Sequence, residues 1–336
     1  MRIFKRILVS VIFIAVLFAV NTYLNYLLVP YTFTRYKVHK IETETFDDLI
    51  LGSSHAGTDL SPSAISSVTG RSAFNAAQGE EYPVDSYFFL KDAAGKHKPD
   101  RLIYEFDPNY WITAQDVSAN YAGTYTEMQP GKAKVQYFFA KMWKADFRTS
   151  IAPWYFYRAQ LSDIERNLFV KRSDDYKNFG TGTFDSATQT VEADGFIAVK
   201  PGKWDDEIIP RDWSDDMIQD KARDYFIRIA EFCRREGIEL VVVTTPVPAE
   251  TLAANELSYA SAGAEMEALS RAYDFTYMNY TGGDLLEARR EFTDSELFAD
   301  WDGHMYADAA RRFSVAFAED LLPETNFESS LHELLR

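Results

Sequence analysis

Apolar residues form one long run near the N-terminus and a series of short runs later in the chain. The long run covers about residues 7–28 and is interrupted only by Ser10, Asn21, Thr22 and Asn25. Because a helix rises about 1.5 Å per residue, this run is long enough to cross a bilayer core of roughly 30 Å. We therefore predict a transmembrane segment over residues 1–30, followed by a polar and aromatic connector over residues 31–45.

The charges around this run predict its orientation. Arg2, Lys5 and Arg6 precede it, so the positive-inside rule places the short N-terminus in the cytoplasm and the rest of the chain outside. A cleaved signal peptide begins in the same way, but no small-x-small cleavage site follows the run. A buried core helix is a third possibility that the basic start disfavours. We expect an uncleaved, single-pass membrane anchor.

From residue 46 onward, strand patterns alternate with helix patterns. The segments FDDLILG, DRLIYEFDPNYW and IELVVVTTP are each predicted to contain a strand, and the last is continuous in β-branched residues, as is typical of a central strand buried on both faces. Ser214 predicts a helix start and Gly237 its end, and a final helix is expected from about Tyr306. This alternation predicts an α/β fold with three layers, a parallel sheet covered on both faces by helices.

Residues 111–210 do not follow this alternation. The segment is rich in aromatic residues, as in VQYFFAKMWKADF and APWYFYRAQL, and then becomes polar and glycine-containing. We interpret it as an insertion, partly helical, within an α/β domain that covers residues 46–336. Its aromatic residues are expected to pack within a core or cap, and a carbohydrate-binding platform is the alternative.

Composition excludes several classes of function. The chain has 35 basic and 51 acidic residues, a net charge of −16, which disfavours binding to nucleic acid. Cys233 is the single cysteine, so no intramolecular disulfide forms. The sequence contains no CxxC pair, HExxH motif, P-loop or GxGxxG fingerprint. We predict no metal and no cofactor.

Four polar clusters fall where predicted strands end, which is where parallel sheets form their sites. In chain order they are Gly52-Ser53-Ser54-His55, Asn75 with Gly79, Asp107 with Asn109, and Asp300 and Asp302 with His304.

These clusters contain the parts of a nucleophilic site. A serine hydroxyl becomes an effective nucleophile when an imidazole accepts its proton and a carboxylate orients that imidazole. Ser54, His304 and either Asp300 or Asp302 supply these groups. Backbone N–H groups near Ser54 and Gly79, with the amide of Asn109 or Asn75, are candidate oxyanion donors.

Each of these groups also has a structural interpretation. Ser54 can lie in an ordinary polar turn, His304 can cap a helix, and Asp107 can accept a hydrogen bond at a strand end. His55 is expected to support the site or face solvent, because a ring rarely turns back onto the side chain of its neighbour.

The order of these clusters resembles that of the SGNH/GDSL hydrolase superfamily. LILGSSHAG stands where that family has its nucleophile block, with Ser54 as nucleophile and Ser53 replacing the usual aspartate. FNAAQG resembles the second block through Gly79, LIYEFDPN occupies the place of the third with Asn109, and DWDGHMYADAARRFS resembles the closing block with His304 as base. The likeness is to a membrane-anchored envelope branch, which includes the teichoic-acid D-alanyl transfer protein and exopolysaccharide O-acetylation proteins.

The closing block departs from the family pattern in one respect. The family places its aspartate three residues before the histidine, and that position here is Trp301. Asp302 lies two residues before His304 and Asp300 four before, so either carboxylate can orient the ring. We favour Asp302 slightly.

Two functions follow as expectations. The first is an extracytoplasmic serine acyl-ester enzyme, either an O-acyltransferase or an esterase, that acts on an envelope glycan or polyol acceptor. The resemblance implies a membrane-bound O-acyltransferase as its partner. The second is a non-catalytic scaffold in an envelope-polysaccharide modification complex.

Overall fold

A computed structural model describes residues 2–113, 119–202 and 207–322. Parts of the predicted insertion, at 114–118 and 203–206, and the end of the predicted domain, at 323–336, lie outside these ranges. The described chain forms two compact units. The first unit contains residues 2–36 and 119–183, and the second contains residues 37–113, 184–202 and 207–322.

The second unit contains a five-stranded parallel sheet and a separate two-stranded antiparallel hairpin. The strands are β1 Asp48–Leu51, β2 Ala73–Asn75, β3 Arg101–Glu105, β4 Gln189–Val191, β5 Ile197–Val199, β6 Glu239–Thr244 and β7 Thr276–Asn279. The five-stranded sheet has the order β2-β1-β3-β6-β7, and β4 pairs with β5.

Helices make up most of the remaining described chain. The α-helices are α1 Arg2–Leu28, α2 Phe33–Thr43, α3 Ser54–Asp59, α4 Pro62–Thr69, α5 Pro83–Lys96, α6 Asn109–Ile112, α7 Ala119–Glu127, α8 Lys132–Tyr137, α9 Trp143–Ala145, α10 Phe147–Ile151, α11 Ile164–Arg172, α12 Asp174–Asn178, α13 Asp220–Glu236, α14 Ala249–Ala254, α15 Glu256–Tyr273, α16 Gly283–Ala288 and α17 Ala307–Leu321. A π-helical turn covers Phe138–Met142, and 3₁₀ turns cover Pro153–Tyr155, Leu161–Asp163, Gly182–Phe184, Asp215–Met217, Arg290–Thr293 and Ser295–Leu297.

The strand order confirms the predicted α/β class. Every residue of β1 and β3 is buried, as expected for central strands covered on both faces. The order runs outward in one direction from β1 to β2 and in the other from β1 through β3 to β7, so β1 and β3 flank a topological switch point. In such sheets ligands bind beyond the carboxyl ends of the strands at this point.

Helix α17 supplies much of the core on one face of the sheet. Phe313 and Phe317 are fully buried on it, and the Phe313 ring packs edge-on against Tyr280 at 4.9 Å between centroids. Fully burying a side chain of this size contributes about 1.5–3 kcal/mol. The final helix predicted from about Tyr306 is therefore confirmed, and its apolar face anchors it to the sheet.

Two local predictions differ from the structure. The helix expected to begin at Ser214 begins instead at Asp220, because Ile218 adopts an extended conformation after a 3₁₀ turn. Its predicted end at Gly237 is confirmed, with φ +69° there. The segment assigned to a connector contains α2, and Tyr36 and Ile41 are buried. The aromatic and polar residues of this segment show no clear helical period, so the sequence did not predict α2.

Helix α1 is long and apolar enough to cross a membrane. An N-terminal signal sequence would meet the same criteria of length and composition. The side chains of α1 are exposed from residue 2 to residue 20, and partial burial begins at Asn21.

We expect Phe313→Ala to lower the free energy of unfolding by about 3–5 kcal/mol, because it removes a buried ring from the core and leaves a cavity. Urea unfolding of the detergent-solubilised chain measures this loss. Leu257→Ala is the matched control, since Leu257 is 83 % exposed, and its effect should stay within about 0.5 kcal/mol. Equal losses for the two variants would contradict this description of the core.

Candidate active site

The site begins at a sharp turn after β1. Gly52 has φ +142°, and a Cβ at this position would lie 2.7 Å from Cβ of Glu105 on the neighbouring strand β3. Glycine is therefore required both by the backbone conformation and by the close approach. The Ser53 side chain caps α3 by accepting a hydrogen bond from the N–H of His55, and the Ser53 N–H donates to Glu105 Oε2 at 2.8 Å. This arrangement places Ser54 at the first turn of α3, at the switch point.

The structure brings Ser54 and His304 together from opposite ends of the sequence. Ser54 Oγ lies 2.7 Å from His304 Nε2, and both side chains are partly exposed. This distance is within hydrogen-bond reach, as proton transfer from a hydroxyl to an imidazole requires. Both residues belong to the second unit.

Asp300, not the slightly favoured Asp302, contacts the His304 ring. His304 Nδ1 donates to Asp300 Oδ2 at 2.6 Å. The loop makes this possible because Gly303 has φ +117° and Asp300 Oδ1 accepts the N–H groups of both Gly303 and His304. The chain thereby turns back on itself, and a spacing of four residues brings the carboxylate to the ring.

Asp302 has a different partner. Its Oδ1 accepts a hydrogen bond from Arg211 at 2.7 Å, and its side chain is 45 % exposed. The preference for Asp302 was wrong as a matter of geometry, because the turn at Gly303 directs this side chain away from the imidazole.

The pKa values of Asp300 and His304 are shifted in opposite directions. Burial disfavours the charged imidazole, but the hydrogen bond and charge of Asp300 outweigh it and raise the pKa of His304 to about 9. Burial would likewise raise the pKa of Asp300, yet the hydrogen bond and charge of His304 lower it to about 2. The carboxylate therefore stabilises an imidazolium, which is what a proton-accepting histidine becomes.

A second set of contacts holds the two chain segments in register. Asp59 Oδ1 at the end of α3 accepts the N–H of Met305 at 2.9 Å. Ser314 Oγ on α17 accepts the N–H of Ser61 at 2.7 Å, and its single proton faces the carbonyls of Ala310 at 2.7 Å and Asp59 at 3.1 Å. Burial raises the pKa of Asp59 to about 7. The residue after His304 is thus bound to the helix that begins with Ser54.

His55 is buried beside the site and does not face solvent. Its ring centroid lies 4.7 Å from that of His304, and its Nδ1 lies 3.4 Å from Asp107 Oδ2. Burial and the charge of His304 lower the pKa of His55, so the neutral form is favoured. Burial and the charge of Asp107 raise the pKa of Glu105 to about 8. His55 is next to the nucleophile in sequence but contacts the acidic end of β3.

The same three side chains could hold a metal ion. Ligand atoms of His55, Glu105 and Asp107 lie within 4.8 Å of one another, and all three residues are buried. Two of their oxygens are already hydrogen-bonded, Glu105 Oε2 to the Ser53 N–H and Asp107 Oδ1 to Asn109. These hydrogen bonds account for the positions of the Glu105 and Asp107 carboxylates.

Two of the predicted oxyanion donors, Asn75 and Asn109, already donate hydrogen bonds within the protein. Asn75 is fully buried, and its amide donates to the carbonyls of Ala56 at 2.6 Å and Leu60 at 2.9 Å. Both of its amide protons are therefore used in holding α3. Asn109 donates one amide proton to Asp107 Oδ1 at 2.6 Å, so only the second could reach an oxyanion.

Gly79 lies in the partly exposed loop after β2. The N–H of Gln78 donates to the carbonyl of Gly52 at 3.1 Å, which ties this loop to the turn before Ser54. Gly79 therefore follows a residue that is bound to the nucleophile turn.

Sequence reasoning did not identify Arg211 or Asp59. Arg211 lies directly after the segment assigned to the insertion, where no motif surrounds it, although its guanidinium bonds Asp302 and its N–H donates to Asn255 Oδ1 at 2.6 Å. Asp59 precedes Leu60 and Ser61 in an unremarkable polar stretch. A signal for Asp59 was its position five residues after the candidate nucleophile.

Comparisons with known proteins add a limited finding. No protein-family model matches the chain, and no curated protein sequence matches it. Among solved structures, a GDSL-like lipase from Bacteroides thetaiotaomicron VPI-5482 is similar at a TM-score of 0.38 and 9 % identity, covering 87 % of this chain and 100 % of that chain.

We expect Asn75→Ala to lower the free energy of unfolding by about 3 kcal/mol, because it removes buried hydrogen bonds to the carbonyls of Ala56 and Leu60 and from the N–H of Ala77. Asn109→Ala is the control and should cost less, since its partner Asp107 keeps the backbone N–H of residue 109. Chemical denaturation of both variants measures the difference. Unchanged stability in Asn75→Ala would contradict a structural role for this amide.

Proposed function

We propose that this protein is an extracytoplasmic, membrane-anchored serine acyl-ester enzyme, an O-acyltransferase or esterase that acts on a cell-envelope polysaccharide or related polymer. The observation that carries the proposal is the continuous path from Ser54 Oγ to His304 Nε2 at 2.7 Å and from His304 Nδ1 to Asp300 Oδ2 at 2.6 Å. A nucleophile, its base and the group that orients the base are the minimum set for acyl transfer through a covalent intermediate.

The proposed reaction has two halves. Ser54 Oγ attacks the carbonyl carbon of an acyl ester while His304 Nε2 takes the hydroxyl proton, and the imidazolium then gives that proton to the leaving oxygen. An acyl-Ser54 ester remains. A sugar or polyol hydroxyl, or water, then attacks this ester with His304 again accepting the proton, and Ser54 is regenerated. Asp300 stabilises the imidazolium in both halves without becoming protonated.

Substrate access is supported by exposure. Ser54 and His304 are both partly exposed although their neighbours His55 and Ser53 are buried. A polymer hydroxyl can thus approach the hydroxyl oxygen without the core opening. We propose an envelope glycan or polyol as acceptor and a membrane-bound O-acyltransferase as partner, following the sequence resemblance.

The contacts of α1 within the first unit support the proposed membrane anchor. Asn167 Nδ2 donates to the carbonyls of Leu27 and Leu28, and Lys171 Nζ donates to those of Tyr26 and Val29. These bonds satisfy carbonyls that the end of a helix leaves without partners. Removal of α1 would leave Asn167 and Lys171 without these acceptors, which supports a retained anchor over a cleaved signal.

A non-catalytic scaffold is the alternative. Its support in the sequence was the irregular spacing of the aspartates, and the contact of Asp300 with His304 Nδ1 weakens it. The commitment of both Asn75 amide protons favours it, because one candidate oxyanion donor is lost.

We expect the full-length chain in detergent to react with a fluorescent fluorophosphonate and to hydrolyse a small acetyl ester. Ser54→Ala should lose the label and the rate, since the only group that forms the covalent bond is removed. Ser53→Ala is the matched control, because Ser53 caps α3 but does not contact His304. Labelling that persists in Ser54→Ala would eliminate the enzyme proposal in this form.

We expect hydrolysis to rise with pH between 7 and about 9, because His304 accepts a proton only in its neutral form and its pKa is raised to about 9. Asp300→Asn removes the charge that favours the imidazolium, so the rise should move to lower pH. The maximal rate should fall by about 10²- to 10⁴-fold, since the ring loses its orienting carboxylate.

Asp302→Asn is the control for this pH profile. Asp302 bonds Arg211 and not the ring, so the rate and the position of the rise should change little. The assignment of Asp300 fails if Asp302→Asn has the larger effect.

A further inference from the structure

Large apolar side chains are exposed at every fourth position between residues 135 and 151 in the first unit. They are Val135, Phe139, Trp143, Phe147 and Ile151, between 47 and 71 % exposed, and we call them the apolar stripe. The centroids of the Trp143 and Phe147 rings lie 6.0 Å apart, so these two neighbours are in contact. Soluble surfaces rarely expose contiguous apolar residues of this size without a partner.

The chain after the stripe is bound to the end of α1. Three residues beyond Ile151, Trp154 donates from Nε1 to Asn21 Oδ1 at 2.9 Å and from its backbone N–H to Asn25 Oδ1 at 2.9 Å. Asn167 and Lys171 bond the carbonyls at the last turn of the same helix. The last two turns of α1 are therefore bound and partly covered by this unit, while Tyr23 and Tyr26 stay exposed.

The apolar part of α1 is long enough to reach across a bilayer core. Three basic residues near the start of the helix precede an apolar run over residues 7–28, which at about 1.5 Å per residue spans roughly 33 Å, against about 30 Å for the hydrocarbon core. Asn21 and Asn25 lie in the last two turns, near the C-terminal end of this run. Trp154 is bonded to both, and an indole is favoured near the membrane interface.

The charge of this region differs from that of the whole chain. Residues 131–172 contain nine Lys and Arg but three Asp and Glu, in a protein whose net charge is −16. We call residues 131–172 the basic-aromatic segment. Helices that combine basic residues with exposed aromatic and aliphatic residues bind in the interface of anionic bilayers. A surface that binds an acidic glycan would use these basic residues but would not need the apolar stripe.

We propose that the basic-aromatic segment lies in the extracytoplasmic interface of an anionic bilayer, with the apolar stripe in contact with lipid acyl chains. The inference rests on the proposed membrane anchor, because α1 defines the level of the interface. It assigns a role to the aromatic insertion that the proposed acyl-transfer chemistry does not use.

The experiment measures the depth of single labels in the full chain. In a Cys233→Ala background, the variants Phe139→Cys, Trp143→Cys and Ile151→Cys are each labelled with bimane. Each protein is reconstituted into vesicles of phosphatidylglycerol and phosphatidylcholine in equal amounts. Leu257→Cys is the matched control, because Leu257 is also a large exposed apolar residue but belongs to the second unit. Each label is quenched in turn by lipids brominated on the acyl chain and by aqueous iodide.

We expect the three stripe labels to be quenched several-fold more by brominated lipid than the label at 257, and several-fold less by iodide. Stripe labels that iodide quenches as strongly as the label at 257 would overturn the proposal. Labels shielded from both quenchers would also overturn it, since a protein surface would then cover the stripe.

Two further measurements separate this inference from the proposals on which it depends. Alkaline carbonate extraction of the same vesicles reports on α1, because a spanning helix resists extraction whether or not the stripe contacts lipid. Ester hydrolysis by the labelled proteins reports on Ser54. A chain that resists extraction and hydrolyses ester but has water-exposed stripe labels would refute the inference alone.

Discussion

The structure of the site depends on the attachment of the end of α3 to the start of α17. The Asp59 carboxylate binds the Met305 N–H, and Ser314 bridges Asp59 and Ser61. These buried bonds join segments about 250 residues apart, and a buried polar group without its partner costs about 1–3 kcal/mol. These bonds therefore strongly favour one alignment of the two segments. This alignment brings Ser54 Oγ to 2.7 Å from His304 Nε2.

The electrostatics of the site follow from the same geometry. Asp300 and Asp59 both favour a protonated His304, whereas burial opposes it. The second histidine, His55, experiences burial and the charge of His304 together, and both disfavour its charged form. Two imidazoles 4.7 Å apart are thereby driven toward different protonation states. One is suited to exchanging a proton with Ser54, and the other can remain neutral against Asp107.

The first unit is built around the end of α1. The carbonyls at a helix end need partners, and here Asn167 and Lys171 supply them from a segment far away in sequence. The positive charge of Lys171 also complements the negative end of the helix dipole. The side chains of α1 are exposed over residues 2–20, and those from Asn21 onward are partly covered, while Tyr23 and Tyr26 stay exposed. The first unit therefore covers one side of the C-terminal end of this helix.

The sequence alone was sufficient for the α/β class, the long apolar helix, the placement of Ser54 directly after a strand and that of His304 just before the final helix, because hydrophobic period and the ends of elements are local properties. It could not choose between Asp300 and Asp302, since the choice depends on the left-handed turn at Gly303 and on the capture of Asp302 by Arg211. It also could not show that Asn75 is committed to the backbone of α3, or that Asp59 joins the two ends of the domain. Those facts depend on which distant groups meet in space, and only the tertiary structure decided them.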